Sequence, residues 1–208
     1  MEIQYFGGNC IRLSTKKAQI IVDDNLADLG QKSVTKKGDI ALFTAAHAGV
    51  SADVKLTIDQ PGENEVSDIS VQGIAARAHI DEADQHGATI FKIVGDDLRV
   101  VVTGHIYPDL DDDQLESLGR VDVLIIPVGG NGYTLDGVGA LKIIKKIEPK
   151  IVVPTHYDQK GFKFPVPQAS LEDALKGLAM EPSETVAGKL KLKPGELTDV
   201  TRLIILEK

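Results

Sequence analysis

Residues 121–130 read VDVLIIPVGG, and their reading decides the fold. An apolar run without polar alternation suits a strand buried on both faces, the kind found in parallel sheets. It ends in a glycine-rich loop, Gly129–Tyr133, and Leu135–Ile147 then repeats apolar residues at helical spacing until Pro149 stops it. A second buried strand, Ile151–Pro154, follows and ends on Thr155-His156-Tyr157. Strand, helix and strand in this order place the chain in the α/β class.

Working outward, Asp111–Leu118 reads as a helix with acids in its first turn, where they suit the helix dipole. The run Asp109, Asp111, Asp112, Asp113 lacks the later glycine and glutamate of a calcium loop, so it reads as a solvated helix start. Ser170 caps a helix reaching about Met180, and strands at Lys189–Lys193 and Val200–Leu206 finish the chain. The first half is strand-rich, with runs at Glu2–Phe6, Cys10–Leu13, Gln19–Val22, Ile40–Phe43 and Val54–Ile58. Gln60–Glu63 reads as a turn, Ile69–Ile74 and Ala75–His79 as strand, and Thr89–Val94 with Leu98–Thr103 as a hairpin. With no repeat and no convincing linker, residues 1–208 read as one domain, β-rich at the front.

Composition narrows the function classes. The 208 residues are 42% hydrophobic and 26% charged, as expected of a soluble protein with a substantial core. Aromatic residues make up only 4%, and the net charge is −8, which argues against base stacking and against nucleic-acid or anionic-membrane partners. Cys10 is the only cysteine, so neither a disulfide framework nor a thiolate zinc cluster is available. The amino terminus lacks a signal-peptide pattern and no apolar run is long enough to span a bilayer, so a cytoplasmic location is expected.

Four of the five histidines carry the chemical interest. His79, His105 and His156 each follow an expected strand directly, and His47 lies a few residues beyond Ile40–Phe43. If those strand ends share one edge of a sheet, the imidazoles converge, and neutral imidazole suits zinc, iron, nickel and copper. A histidine after a strand also serves as an ordinary packing or capping residue, and His86 reads as surface. Gly129–Gly132 matches no phosphate or dinucleotide signature and reads as a strand-to-helix turn.

Taken together, Pro61-Gly62-Glu63-Asn64-Glu65-Val66, Val123–Gly130, Tyr133-Thr134 and Pro149–Tyr157 resemble the small bacterial-type branch of the metallo-β-lactamase superfamily. The likeness runs from Tyr5-Phe6-Gly7 to the last strand. It implies a four-layer αββα sandwich with a metal site at one edge, in a family made up mostly of hydrolases using zinc, manganese or iron. The departures are equally specific. Where the family has H-x-H-x-D-H, this chain reads Ala45-Ala46-His47-Ala48-Gly49-Val50, and the glycine-histidine pair after the first strand is Gly7-Gly8. The family's bridging aspartate corresponds to His105, while His79 and His156 match the remaining ligand histidines.

The resemblance therefore implies no dinuclear centre but a single divalent ion held by His47, His79, His105 and His156. Zinc comes first, with iron, manganese or nickel as other candidates. Tyr133, Thr134 and Tyr157 fall in the matched motifs and are expected to contact substrate, and Glu63 and Asp109 are candidate bases replacing the lost aspartate. Two functions follow as expectations. The first is a divergent hydrolase acting on a small ester, lactone, amide or phosphoester. The second is a metal-free, inactive relative that binds a ligand or partner at the old edge. A role in assembly is a third, with no surface to point to.

Overall fold

The computed structural model describes residues 1–46 and 53–208. His47, Gly49 and Val50, on which part of the metal expectation rests, lie outside the described residues.

β1 (Glu2–Gly7), β2 (Cys10–Ser14) and β3 (Gln19–Val22) form an antiparallel meander, which β4 (Ile40–Leu42) and β5 (Leu56–Ile58) extend in parallel. β6 (Gly62–Val66), β7 (Ile69–Ala76), β8 (Ala88–Gly95) and β9 (Leu98–Val102) run up and down as an antiparallel set. Then come α1 (Asp112–Leu118), β10 (Val123–Pro127), α2 (Gly137–Ile147), β11 (Ile151–Thr155) and α3 (Leu171–Leu178). β12 (Pro182–Ala187), β13 (Lys189–Lys191) and β14 (Arg202–Glu207) end the chain. One sheet is ordered β13-β1-β2-β3-β4-β5 and the other β12-β14-β11-β10-β9-β8-β7-β6.

β10 and β11 are buried at every position and pair in parallel, as their continuous apolar sequence requires. Ile3, Tyr5, Ile11 and Leu13 of the smaller sheet share one apolar core with them. α2 presents Ala140, Ile143, Ile144 and Ile147 to that core, and α1 and α3 pack beside it. Asp111 caps α1 through a reciprocal capping box with Gln114, which accounts for the acidic run as a helix start.

This is the two-sheet α/β sandwich that the resemblance implies. Its outer layers differ in kind. Over the smaller sheet the described residues provide no helix; the segment 24–37 lies there instead, closing Leu26 and Val34 over Cys10 and Ile21. The Asp24 carboxylate holds this segment by accepting from Ser33 Oγ and from the Val34 and Thr35 amides. Cys10 is thereby buried, and burial pushes its thiol well above the usual range, so it acts as a core residue.

Three local expectations change. Gly62–Val66 is an edge strand from its first glycine rather than part of a turn. β7 stops at Ala76, so His79 sits three residues past the strand, steadied by a bridge between Ala78 and Ile106. β12, with sequence PSETVA, is a strand with no apolar alternation because it lies exposed at the sheet edge. Among the described residues, no helix is long and apolar enough to cross a membrane.

Candidate functional site

β7, β9, β10 and β11 run in the same direction, so their carboxyl ends meet at one edge of the larger sheet. The Thr89 amide donates to the Thr44 carbonyl at 2.8 Å, bringing the end of β4 to that same edge. In α/β sheets, ligands bind at such an edge.

His156 leaves β11 with φ 54°, a left-handed conformation uncommon outside glycine. Its amide donates to the Gly8 carbonyl at 2.8 Å, which fixes the backbone in that conformation. Gln168 settles the state of the ring. The Gln168 amide nitrogen donates to the Val166 carbonyl at 2.6 Å, so Oε1 faces His156 Nδ1, 3.1 Å away. An amide oxygen only accepts; Nδ1 therefore carries the proton and Nε2 the bare lone pair. Gly129 makes room for this pair, since a Cβ there would land on the His156 carbonyl and on Gln168 Oε1.

His105 follows Gly104, whose φ of 61° and contact with the Thr44 side chain leave no room for a Cβ. The His105 ring meets His156 edge-on at 4.4 Å between centroids and Tyr133 at 4.8 Å, and Phe164 covers His156 from 4.9 Å. Burial, and next the His156 ring, push the His105 pKa down to about 3, while burial takes His156 to about 4. Both rings are uncharged at neutral pH. Among the described residues, His105 Nδ1 is buried without a hydrogen-bond partner.

His79 joins them through its backbone, its amide donating to the His105 carbonyl at 2.7 Å. Its Nδ1 is also buried with no partner among the described residues, and its ring lies 6.3 Å from that of Tyr107, over which the Arg77 guanidinium stacks at 3.9 Å. The two histidines open differently. His79 borders a cleft with Gly130, Thr134 and Lys142, whereas His105 borders one of about 120 Å³ with Asn9, Asp23, Asn25 and Tyr133.

Tyr133 thus stands beside His105, and Thr134 is fully buried beside the His79 cleft. Tyr157 is placed differently from the expected substrate contact. Its ring lies against Tyr5, and its hydroxyl donates to the Leu206 carbonyl, which makes it a packing residue. Neither expected base reaches the histidines: Glu63 is exposed on the edge strand β6, and Asp109 pairs with Lys146 on α2 at 2.6 Å.

The carboxylate that borders the His105 cleft, Asp23, has both oxygens engaged by Thr44, so it is not free to bridge two ions. Among the described residues, no three His, Cys, Asp or Glu side chains are grouped to hold an ion. The donor chemistry of the edge nonetheless suits one divalent ion in part: the His105 and His156 imidazoles are uncharged and adjacent, and His79 and His105 each keep a buried Nδ1 without a partner among the described residues.

Sequence reading passed over Asp23 and Gln168. Asp23 reads as a residue ending a strand, yet its buried carboxylate accepts from the Thr44 amide and hydroxyl, both at 2.7 Å. Burial raises its pKa from 3.8 to about 6, against the opposing pull of those bonds. A raised carboxylate pKa stabilises the fold below its unfolded value, and that contribution disappears as pH rises through about 6. Ionised Asp23 thus costs roughly 3 kcal/mol at pH 7, at about 1.4 kcal/mol per pKa unit. Asp23→Asn keeps an acceptor for the Thr44 amide and removes the titration. Its stability relative to the parent should improve by about 2–3 kcal/mol between pH 4 and pH 7.5, as followed by urea unfolding. A pH-independent difference would show that Asp23 ionises normally.

Comparisons with known proteins agree with this architecture. Residues 2–156 match the family model described as the β-lactamase superfamily domain. A UPF0173 metal-dependent hydrolase of Archaeoglobus fulgidus is 30% identical over 142 residues, 65% of this chain and 58% of that protein. The chain thus spans less than two thirds of that relative, whereas one of the same name from Salinibacter ruber is 23% identical, with 76% of this chain and 85% of that protein covered. A solved Thermotoga maritima structure of the metallo-β-lactamase superfamily superposes with TM-score 0.78 at 24% identity, covering all of both chains. By its family-model match and its fold, the chain belongs to the metallo-β-lactamase superfamily.

Proposed function

We propose that the chain is a divergent hydrolase of this superfamily, holding at most one divalent ion, zinc first, at the histidine edge. Iron, manganese and nickel are the other candidate ions. The observation that carries this reading is the His105–His156 pair: two uncharged rings 4.4 Å apart, with His156 Nε2 left bare by the Gln168 contact. His79 and His47 are the other residues that would hold the ion. Held there, the ion would supply Lewis-acid activation of water, lowering its pKa toward about 7 for attack on a small ester, lactone, amide or phosphoester. The chain's own residues hold His156 in one tautomer, keep both rings unprotonated, and border the cleft with Tyr133. The name metal-dependent hydrolase borne by relatives supports the same reading.

The test is hydrolysis of a panel of p-nitrophenyl esters and phosphoesters. Turnover should be abolished by a chelator, restored by zinc, and lost in His156→Ala. The metal-free, ligand-binding reading has its own support in Ala45 and in His105 at the carboxylate position. Absence of turnover with every ion supplied would decide for it.

A further inference from the structure

The outer face of the smaller sheet carries a groove that the histidine edge does not use. Its volume is about 500 Å³, within the range of about 300–1,000 Å³ usual for small-molecule sites. Phe6 stands on the outward row of β1 and forms one wall, half-buried. Leu26 and Val34 of the segment 24–37 form the other, Leu26 at 2% exposure and Val34 half-buried. Arg12 ties the walls together. Its guanidinium lies 5.0 Å over the Phe6 ring and donates to the Val34 carbonyl at 2.7 Å. The groove is therefore preformed and apolar along its walls.

All side-chain charge on its rim is positive, against the net charge of −8 of the whole chain. Lys32 and Lys208 line it, and among the described residues no aspartate or glutamate does. Neither lysine forms an ion pair among the described residues. Lys208 Nζ donates instead to the uncharged Gln31 Oε1 at 3.0 Å. Asp24, which pins the segment, does not border the groove, and its Oδ2 is taken up by Ser33, Val34 and Thr35. Apolar walls beneath unpaired ammonium groups match an amphiphile with an anionic head. A cationic amphiphile would meet like charge at the rim, and a small hydrophilic anion would leave the walls unused.

We propose that this groove binds a free carboxylate of the fatty-acid type, its alkyl chain against Phe6, Leu26 and Val34 and its head at the rim lysines. No residue lining the groove borders either histidine cleft. Binding here needs no metal ion and stands apart from the hydrolase reading.

The experiment is a titration of ¹⁵N-labelled protein with decanoate and, separately, with acetate and decyltrimethylammonium, all below micelle formation. The backbone amide signals of Phe6, Leu26, Lys32 and Val34 report on the groove. Decanoate should shift them in a saturable manner, while acetate and the ammonium compound should leave them in place. Lys32→Glu, a change at an exposed side chain, should raise the decanoate midpoint about three- to tenfold, the expected loss when an exposed charge pair becomes a repulsion. Signals unmoved by decanoate, or moved as readily by decyltrimethylammonium or acetate, overturn the proposal, as does a Lys32→Glu midpoint equal to that of the parent. Titration of the parent protein makes the outcome independent of how the variant folds.

Discussion

Gly129→Ala should lower the thermal midpoint by about 10 °C, whereas Gly132→Ala in the same loop should lower it by only about 3 °C. The two glycines look equivalent in the sequence Gly129-Gly130-Asn131-Gly132, but their surroundings differ. A Cβ on Gly129 would occupy the position of the His156 carbonyl, which is backbone and cannot rotate away, and of Gln168 Oε1. The Gly129 carbonyl also accepts from the Ala169 amide at 2.8 Å, so the loop has little freedom to retreat. Overpacking of this kind costs about 3 kcal/mol, and in a domain of this size each kcal/mol moves the midpoint by roughly 2–4 °C. At Gly132 a Cβ meets nothing within 4 Å, leaving only the left-handed backbone cost at φ 72°, about 1 kcal/mol. Differential scanning calorimetry of the two variants separates the cases. Equal losses would mean that the close approach of Gly129 to His156 is not part of the native fold.

His156→Ala should weaken zinc binding by at least about 100-fold, and Gln168→Leu by roughly tenfold, the usual range for removing a residue that orients a ligand. The order matters more than the values. His156 provides the bare nitrogen, while Gln168 only holds the ring in the tautomer that bares it. Gln168→Glu offers the ring an acceptor again and should recover most of the loss. Competition with a chromophoric chelator measures all three. Gln168→Leu binding as tightly as the parent would show that the tautomer is set by something else.

Much of the fold was legible in local sequence, for identifiable reasons. β10 and β11 are buried on both faces, so residues 123–127 and 151–155 have to be apolar throughout, and the α2 stripe between them has to repeat at helical spacing. β12 was not legible, because an exposed edge strand imposes no apolar alternation on PSETVA. The meeting of His105 and His156 was legible because the ends of parallel strands share an edge. Which cleft each ring faces was not, since side-chain direction is set by Tyr107, Tyr133 and Phe164, distant in sequence from the rings they touch. Asp23 and Gln168 left no local mark at all. Asp23 reads as the polar end of a strand and Gln168 carries no motif, yet each makes its decisive contact after the chain has folded: Asp23 with Thr44, and Gln168 with His156. Tyr157 shows the converse. A tyrosine next to a ligand-type histidine invites a functional reading, but this one packs into the core against Tyr5.

The central proposal is that the histidine edge holds one divalent ion. Elemental analysis by mass spectrometry tests it most directly, on untagged protein purified without chelator and without added metal. The account predicts close to one equivalent of a single divalent metal per chain in the parent and none in His156→Ala. No bound metal in the parent, with none taken up after dialysis against zinc, iron, manganese and nickel in turn, would contradict it.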